Sequence, residues 1–391
     1  MAKSVANRVT KRVANQLTSR LANKRAFLRS GLTAMTAVIA SALGAYLPNR
    51  ANAQAQGKSQ TPAPDSAAPD SAALKTIAFG SCNNQEAPQH IWQPILAAKP
   101  DLFIFAGDNV YASGLNFSVE RLKKAHAKLA DHSGFSQLIK TTKHMAIWDD
   151  HDYGLNDGGK EWQHKQDSKN VFLEFWKIAG NDARRARDGL YCSELFGPPQ
   201  QRVQVILLDT RWNRSDWRVT DQRNAAGKER YVPSDDPSLT MLGQTQWAWL
   251  EQQLRVPAQI RLIVSGIQVL ADGHGWECWA MMPLERQRLF DLIAKNKVNG
   301  CVFLSGDRHI GAIYQTKSRV PYPLFDVTSS GMTHAWKQAS EAGPNRIGDL
   351  VTENHFGLIE IDWVDLKLDL ILQTQDGQNV RRQSIPFSAL M

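Results

Sequence analysis

The sequence predicts an α/β fold in which near-continuous apolar strands form a layered sheet that is covered on both faces. Six runs of strand-type apolar residues occur between Leu74 and His309, and each ends in a polar cluster. Strands of this kind are typical of sheets buried on both sides. Segments with helical spacing at residues 171–176 and 284–294 supply candidate covering helices. Ligands of such sheets collect at one set of strand ends, so the polar clusters predict the site.

The six runs lie in chain order between Leu74 and His309, and no second linker interrupts the roughly 318 residues from Leu74 to Met391. They are 76–79 before Gly80-Ser81-Cys82, 102–105 before Gly107-Asp108-Asn109-Val110-Tyr111, 145–148 before Asp149-Asp150-His151-Asp152, 203–208 before Asp209-Thr210-Arg211, 262–264 before Ser265-Gly266-Ile267-Gln268, and 302–304 before Ser305-Gly306-Asp307-Arg308-His309.

The basic charge of the chain is concentrated at its beginning. The formal net charge is +8, but residues 1–53 hold nine Lys or Arg and no acidic residue, so the remainder carries 8 − 9 = −1. This distribution argues against a nucleic-acid-binding domain. Residues 1–53 instead have the layout of an export signal that resembles the twin-arginine type, with cleavage expected after Ala53. A retained membrane anchor is the alternative, although the weakly apolar run 31–47 is short for a span.

Domain organisation follows from the composition. Residues 54–73 are rich in Pro, Ala and Ser and predict a disordered spacer, which leaves residues 74–391 as one large domain. We expect a periplasmic or extracellular protein that uses export machinery and keeps no stable membrane anchor after cleavage. Of its four cysteines, Cys192 and Cys278 are the only plausible disulfide pair.

The second and third clusters carry most of the metal-ligand signal. Asp108 could bridge two cations, and Tyr111 could bend back to one of them as a phenolate; the alternative is a turn cap and a packed ring. Asp149, Asp150 and Asp152 surround His151 in four residues and would repel one another without a cation. The alternative for that run is a solvated acidic loop.

Two further clusters extend the candidate site. Asp307 and His309 repeat the pairing of carboxylate and imidazole, although a surface turn would also contain them. Cys82 is either a thiolate ligand at a strand end or a small core thiol.

Together these motifs resemble the alkaline phosphatase D (PhoD-like) family of metallophosphoesterases. The resemblance rests on Ser-Cys, Gly-Asp-x-x-Tyr, Trp-Asp-Asp-His-Asp, Leu-Asp-Thr-Arg and Ser-Gly-Asp-x-His, which occur in family order. It implies a four-layer αββα sandwich, with Fe³⁺ and Ca²⁺ as cofactors and phosphate esters as substrates. Cys82, Asp108 and Tyr111 would ligate iron, with Asp108 also reaching a neighbouring metal.

The resemblance also assigns the remaining candidate ligands. Asp150 would occupy the position of a metal-binding asparagine in the wider superfamily, His151 that of its catalytic histidine, and Asp307 and His309 that of a metal-binding histidine pair. Gln268 is the weakest correspondence, because the superfamily has a metal-binding histidine there; a glutamine hydrogen-bonded to a turn is the alternative.

The predicted reaction is attack of a metal-bound hydroxide on phosphate monoesters or diesters, since a metal ion lowers the pKa of bound water to about 7. His151 would stabilise the phosphoryl charge or protonate the leaving group, and Asp152 would fix the tautomer of His151. Arg211 would clamp the phosphate, or else form a structural pair with Asp209 or Asp149. A phosphodiesterase acting on lipid or polymer substrates, like a phospholipase D, and a non-catalytic phosphate- or metal-binding protein remain alternatives.

Overall fold

Two β-sheets pack face to face in the computed structural model, which describes residues 72–391. The predicted export signal, and the spacer apart from Ala72 and Ala73, lie outside the described residues. Strands β1–β3 and β11–β13 form a six-stranded sheet in the order β13-β12-β11-β1-β2-β3. Their bounds are Thr76–Gly80, Leu102–Ala106, Lys143–Ile147, His355–Asp362, Lys367–Thr374 and Asn379–Pro386.

The second sheet has seven strands in the order β10-β8-β9-β7-β6-β5-β4. The bounds of β4–β10 are Cys192–Phe196, Val203–Leu208, Ile260–Ser265, Cys301–Ser305, Gly311–Thr316, Leu324–Ser329 and Arg346–Val351. Within it, β5, β6, β7 and β9 run parallel, as do β1, β2 and β3 in the first sheet. The carboxyl ends of the parallel strands therefore gather the loops that follow them.

Seven α-helices accompany the sheets within residues 72–391. They are α1 Trp92–Ala97, α2 Val119–Asp131, α3 Ser133–Thr141, α4 Asp150–Tyr153, α5 Lys165–Phe175, α6 Gly243–Gln253 and α7 Pro283–Lys295, with short 3₁₀ segments at Ala183–Arg185, Trp279–Met281 and Phe387–Leu390. None of the helices in residues 72–391 combines the length and apolar character needed to cross a membrane.

Helices cover the outer face of each sheet, so the order of layers is helix, sheet, sheet, helix. Phe105 of β2 contacts Trp92 of α1 and Phe135 of α3, with ring centroids 6.3 and 5.8 Å apart. Phe290 of α7 lies 6.4 Å from Phe303 of β7 on the other side. Between the sheets, β9 contacts β11 and β5 contacts β3. The predicted four-layer αββα architecture is confirmed.

A hydrogen bond between the two sheets fixes the end of β1 beside the end of β9. Ser81 follows β1, and its N–H donates to the carbonyl of Ser329 at 3.0 Å, in an isolated parallel bridge with Ser330. Loops from both sheets consequently meet at one edge of the sandwich.

Candidate metal centre

The candidate ligands follow the carboxyl ends of strands from both sheets. Cys82 comes after β1, Asp108 after β2, and Asp150 opens α4 directly after β3; Asp307 and His309 follow β7. A cavity of about 290 Å³, here called the cleft, opens beside them. The cleft is lined by Asp150, His151, Asn156, Asp157, Arg230, Trp276, Glu277, Asp307, Arg308, His309 and Trp336.

One group of donors contains a sulfur, a phenol, an imidazole and a carboxylate. Cys82 Sγ lies 3.5 Å from Asp108 Oδ2, and Tyr111 OH lies 3.3 Å from the same oxygen. Tyr111 OH is also 3.1 Å from His309 Nε2. Ligand atoms of Cys82, Asp108 and His309 all lie within 4.8 Å of one another. This mixed set matches ions that accept sulfur and nitrogen ligands, such as iron.

Asp108 and Asp150 connect this group to three others in which donor atoms also lie within 4.8 Å. The connected groups are Asp108 with Asp150 and His151, Asp149 with Asp150 and Asp307, and Asp150 with Asp157 and Glu277. The two groups made only of carboxylates match hard cations such as calcium, which prefer oxygen ligands.

Asp149, Asp157 and Glu277 were not predicted as ligands. Asp149 belongs to the acidic run that drew attention to Asp150, so its residue type alone could have indicated it. Asp157 and Glu277 follow no apolar strand directly, and the sequence contains no comparable signal for them.

The raised pKa values of these groups indicate that their ionised forms need nearby positive charge. Burial and then the negative charge of Asp150 raise the pKa of Asp108, and burial and then Glu277 raise that of Asp307. Burial raises the pKa of the Cys82 thiol to about 11. Cations would reverse these effects by stabilising the ionised ligands.

Two buried carboxylate oxygens in the centre have no hydrogen-bond partner among the described residues. They are Asp149 Oδ2 and Asp150 Oδ1. Leaving a charged oxygen buried and unpaired costs free energy, whereas coordination to a cation would satisfy it. The donor set and these orphaned oxygens therefore fit a centre for several cations.

Backbone conformation is unusual at the same positions. Cys82, Asp108, Asp157, Asp307 and His309 have φ of 59°, 49°, 53°, 71° and 54°. They are five of the eleven non-glycine residues with positive φ in residues 72–391. A left-handed residue costs about 1–2 kcal/mol, so this concentration is typical of a functional site that the surrounding fold maintains.

Glycines allow the strand ends to approach Asp149. Gly107 has φ 108°, and a Cβ there would lie 2.5 Å from Asp149 Cβ. A Cβ on Gly266 would lie 2.3 Å from Asp149 Oδ1. The close packing of three loops consequently depends on the absence of side chains at these two positions.

His151 lines the cleft, but a different residue from the predicted one orients its ring. Its Nδ1 lies 2.6 Å from Ser113 Oγ, and its backbone N–H donates to Asp108 Oδ1 at 3.0 Å. The Asp152 carboxylate instead accepts the N–H of Asp149 at 2.6 Å and the amide groups of Asn109. The prediction that Asp152 fixes the tautomer of His151 is corrected: Asp152 caps α4, and Ser113 contacts the imidazole.

Arg211 is fully buried and forms ion pairs. Its Nε donates to Asp149 Oδ1 at 2.6 Å, and its terminal nitrogens donate to Glu277 and to the carbonyl of Gly158. It has no solvent-exposed surface and does not line the cleft. The phosphate-clamp prediction is corrected in favour of its alternative, a structural pair with Asp149.

Gln268 departs from a ligand role, and Cys192 and Cys278 depart from the expected disulfide bridge. Gln268 donates to Tyr314 OH at 3.0 Å, and its Oε1 contacts His274 Nε2 at 3.1 Å, so its amide belongs to a buried hydrogen-bond network. All four cysteines lie in residues 72–391, and none of them forms a disulfide. The expected Cys192–Cys278 bridge is therefore not formed.

Comparison with known proteins identifies the family. A model of PhoD-like phosphatases matches residues 77–337, well over half of the chain. The chain belongs to the PhoD-like phosphatase family. It is similar to alkaline phosphatase D of Bacillus subtilis (strain 168), with 23% identity in an alignment of 291 residues. The alignment covers 65% of this chain. The match spans about half of that relative, 48% of its length.

Solved structures support the fold of this PhoD-like chain. A structure of PhoD superposes with a TM-score of 0.62 at 17% identity, covering 83% of this chain and 74% of that one. Purple acid phosphatase PPD1 from yellow lupin (Lupinus luteus) gives 0.52 at 12% identity, covering 83% of this chain and 55% of that one. At these identities the similarity shows a shared fold.

Proposed function

We propose that this PhoD-like protein is a metal-dependent phosphoester hydrolase that acts on phosphate monoesters or diesters. The observation that carries the proposal is the set of four donor groups linked through Asp108 and Asp150, each of which has at least one member that lines the cleft. Buried carboxylates that repel one another destabilise the fold, and cations bound between them would remove that repulsion. Family membership gives the reaction class.

The donor chemistry divides the proposed cations between two kinds of position. Cys82, Asp108, Tyr111 and His309 would hold Fe³⁺, and the carboxylate groups that include Asp150 and Asp307 would hold Ca²⁺. Cations bound there would supply Lewis-acid chemistry, which activates water and neutralises phosphoryl oxygens.

His151 is the proposed catalytic side chain in the cleft. Ser113 orients its ring through Nδ1, and its Nε2 lies 3.8 Å from Asp150 Oδ1. In this orientation Nε2 would donate to a phosphoryl oxygen or protonate the leaving alkoxide. Arg211 would act indirectly, by neutralising Asp149 and Glu277 and so holding the loops of the centre in position.

The proposal includes export of the protein. Residues 1–53 would direct it to the periplasm or the outside of the cell, with cleavage after Ala53, residues 54–73 as a spacer and residues 74–391 as the catalytic domain. The basic export segment accounts for the positive net charge without a nucleic-acid partner.

The test uses the purified full-length chain with 4-nitrophenyl phosphate and bis(4-nitrophenyl) phosphate. We expect turnover that chelators abolish and that added iron and calcium restore. His151→Ala should lower kcat by roughly 100-fold or more, because general acid–base groups typically contribute at least that factor. His164→Ala is the matched control, since His164 is half exposed and pairs with Asp167.

The outcomes separate the alternatives. Turnover of only the diester, followed by activity on phospholipid vesicles or polymeric phosphodiesters, would favour the phosphodiesterase alternative. Tight metal or phosphate binding without turnover of either ester would support a non-catalytic binding protein and refute the proposed reaction.

A further inference from the structure

The mouth of the cleft carries an aromatic cluster that the proposed reaction does not use. Trp276, Trp336, Arg230 and Arg308, here called the mouth, line the same cleft as the candidate ligands Asp150, Asp157, Asp307 and His309, here called the floor. The two indole rings meet edge to face, with centroids 6.0 Å apart. A cavity of about 290 Å³ has room for a phosphoryl group at the floor and for part of the leaving group at this mouth.

Trp336 differs from the other tryptophans of the chain. All twelve tryptophans lie within residues 72–391, and Trp336, at 37% exposure, is the single exposed one among them. Its backbone N–H donates to the carbonyl of His309 at 2.7 Å. The exposed indole is thus attached directly to a segment that carries a candidate metal ligand.

The arginines of the mouth brace the rings. The Arg308 guanidinium lies 4.5 Å from the Trp276 centroid and 5.8 Å from that of Trp336, and it pairs with Glu341 at 3.0 Å. The Arg230 guanidinium lies 4.8 Å from the Trp276 centroid. Cation–π contacts of this kind hold aromatic rings in fixed positions.

Arg230 also ties the mouth to the floor. Its Nη1 pairs with Asp157 Oδ2 at 2.6 Å, and Tyr231 OH donates to the same oxygen at 2.7 Å. Arg230 and Arg308 each pair with a carboxylate, and the indole of Trp336 is the most exposed aromatic surface in the cleft lining.

We infer that Trp336, braced by Trp276 and Arg308, is a stacking site for a planar aromatic leaving group of the phosphoester. This inference rests on the proposed function and specifies its substrate class. A rigid indole loses little conformational freedom on binding, and its face stacks on any flat ring. Aryl phosphates and nucleotides share that chemistry and are distinguished by experiment.

The test compares two pairs of monoesters with the full-length, metal-supplemented enzyme. Benzyl phosphate and cyclohexylmethyl phosphate differ in the flatness of the ring, and adenosine 5′-monophosphate and ribose 5-phosphate differ in the base. We expect Trp336→Leu to lower kcat/KM by about tenfold for the aromatic member of at least one pair, with less than about a twofold change for its partner. Loss confined to the adenosine pair would identify a nucleotide site, and loss confined to the benzyl pair an aryl phosphate site.

Matched variants and the wild-type enzyme complete the test. Trp336→Phe should restore most of the aromatic preference, and Leu284→Ala, at an exposed position of α7 outside the cleft lining, should leave it unchanged. If Trp336→Leu does not fold, the KM ratios of the two pairs in the wild-type enzyme decide, with equal ratios refuting the inference.

The two proposals fail in different ways. If the wild-type enzyme turns over the esters and Trp336→Leu lowers kcat/KM equally for all four, the stacking site alone is overturned. Absence of wild-type turnover on these four monoesters, on 4-nitrophenyl phosphate and on bis(4-nitrophenyl) phosphate would overturn the proposed function and the stacking site with it.

Discussion

Arg211 Nε donates to Asp149 Oδ1 at 2.6 Å, and both side chains are almost completely removed from solvent. Glu277 binds the other side of the same guanidinium. One buried cation thus compensates two carboxylates that come from different sheets, Asp149 after β3 and Glu277 after β6. The carboxylates of the candidate centre are in this way tied to the interior of the sandwich.

Removing this cation should destabilise the protein strongly. Arg211→Met leaves Asp149 and Glu277 buried without a counter-charge, so we expect the free energy of unfolding to fall by about 3–5 kcal/mol in chemical denaturation. Arg382→Ala, which breaks a half-exposed pair with Glu360 and Asp369, should cost less than about 1 kcal/mol. Similar losses for the two variants would contradict the buried role of Arg211.

Ser113 is predicted to be a positioning residue for His151. Ser113→Ala removes the 2.6 Å contact to Nδ1 and should lower kcat roughly tenfold with little change in KM. The pH profile of kcat should also shift, because the hydrogen bond helps to set the tautomer, and Ser113→Thr should restore both. Ser118→Ala, which removes the N-cap of α2, is the control and should lower stability without affecting the profile. An unchanged profile in Ser113→Ala would refute the positioning role.

Metal content should depend on the sulfur and phenol donors. We expect Cys82→Ser and Tyr111→Phe to lower the iron retained by the purified full-length protein, measured by elemental analysis, because each loses a ligand atom. Cys301→Ser lies inside β7, away from the centre, and should retain the wild-type iron content. Wild-type iron in Cys82→Ser would exclude the thiolate as a ligand.

His126, which lies on α2 and is not a candidate ligand, should make the stability of the protein depend on pH. Burial lowers its pKa to about 4, and its Nε2 has no hydrogen-bond partner among the described residues. The unfolded state, with a histidine pKa of about 6.5, therefore binds more protons between pH 6.5 and 4, and stability falls as the pH falls through this range.

The total loss from His126 should approach about 3 kcal/mol by pH 4. His126→Leu removes the titrating group, so unfolding of this variant should depend less on pH than that of the wild type over the same range. Parallel pH curves for the two proteins would contradict the prediction.

Much of the fold could be predicted from the sequence because the parallel strands are apolar almost throughout. Each of the six predicted runs coincides with a strand, from β1 to β7 with β4 excepted, and the polar clusters follow those strands. The addition of strands β11–β13 to the first sheet was harder to predict, because β11 pairs with β1, which lies far away in the chain.

The candidate centre could likewise be predicted only in part. Cys82, Asp108, Asp150, Asp307 and His309 stand in motifs at strand ends, and the structure brings them together as expected. The choice between alternatives for a charged side chain could not be predicted, because burial decides it; for Arg211 the sequence left open a phosphate clamp and a pair with Asp209 or Asp149. Arg211 sits in a motif but turns inward to Asp149.

The meeting of the two sheets at the bond between Ser81 and Ser329 has a consequence for the order of folding. The donor group of Cys82, Asp108 and His309 takes members from both sheets, so a half-assembled sandwich cannot offer this group to a cation. Ions that bind only the finished arrangement favour it by mass action. Metal uptake would then report the last step of maturation, when the two halves of the polypeptide have closed on each other.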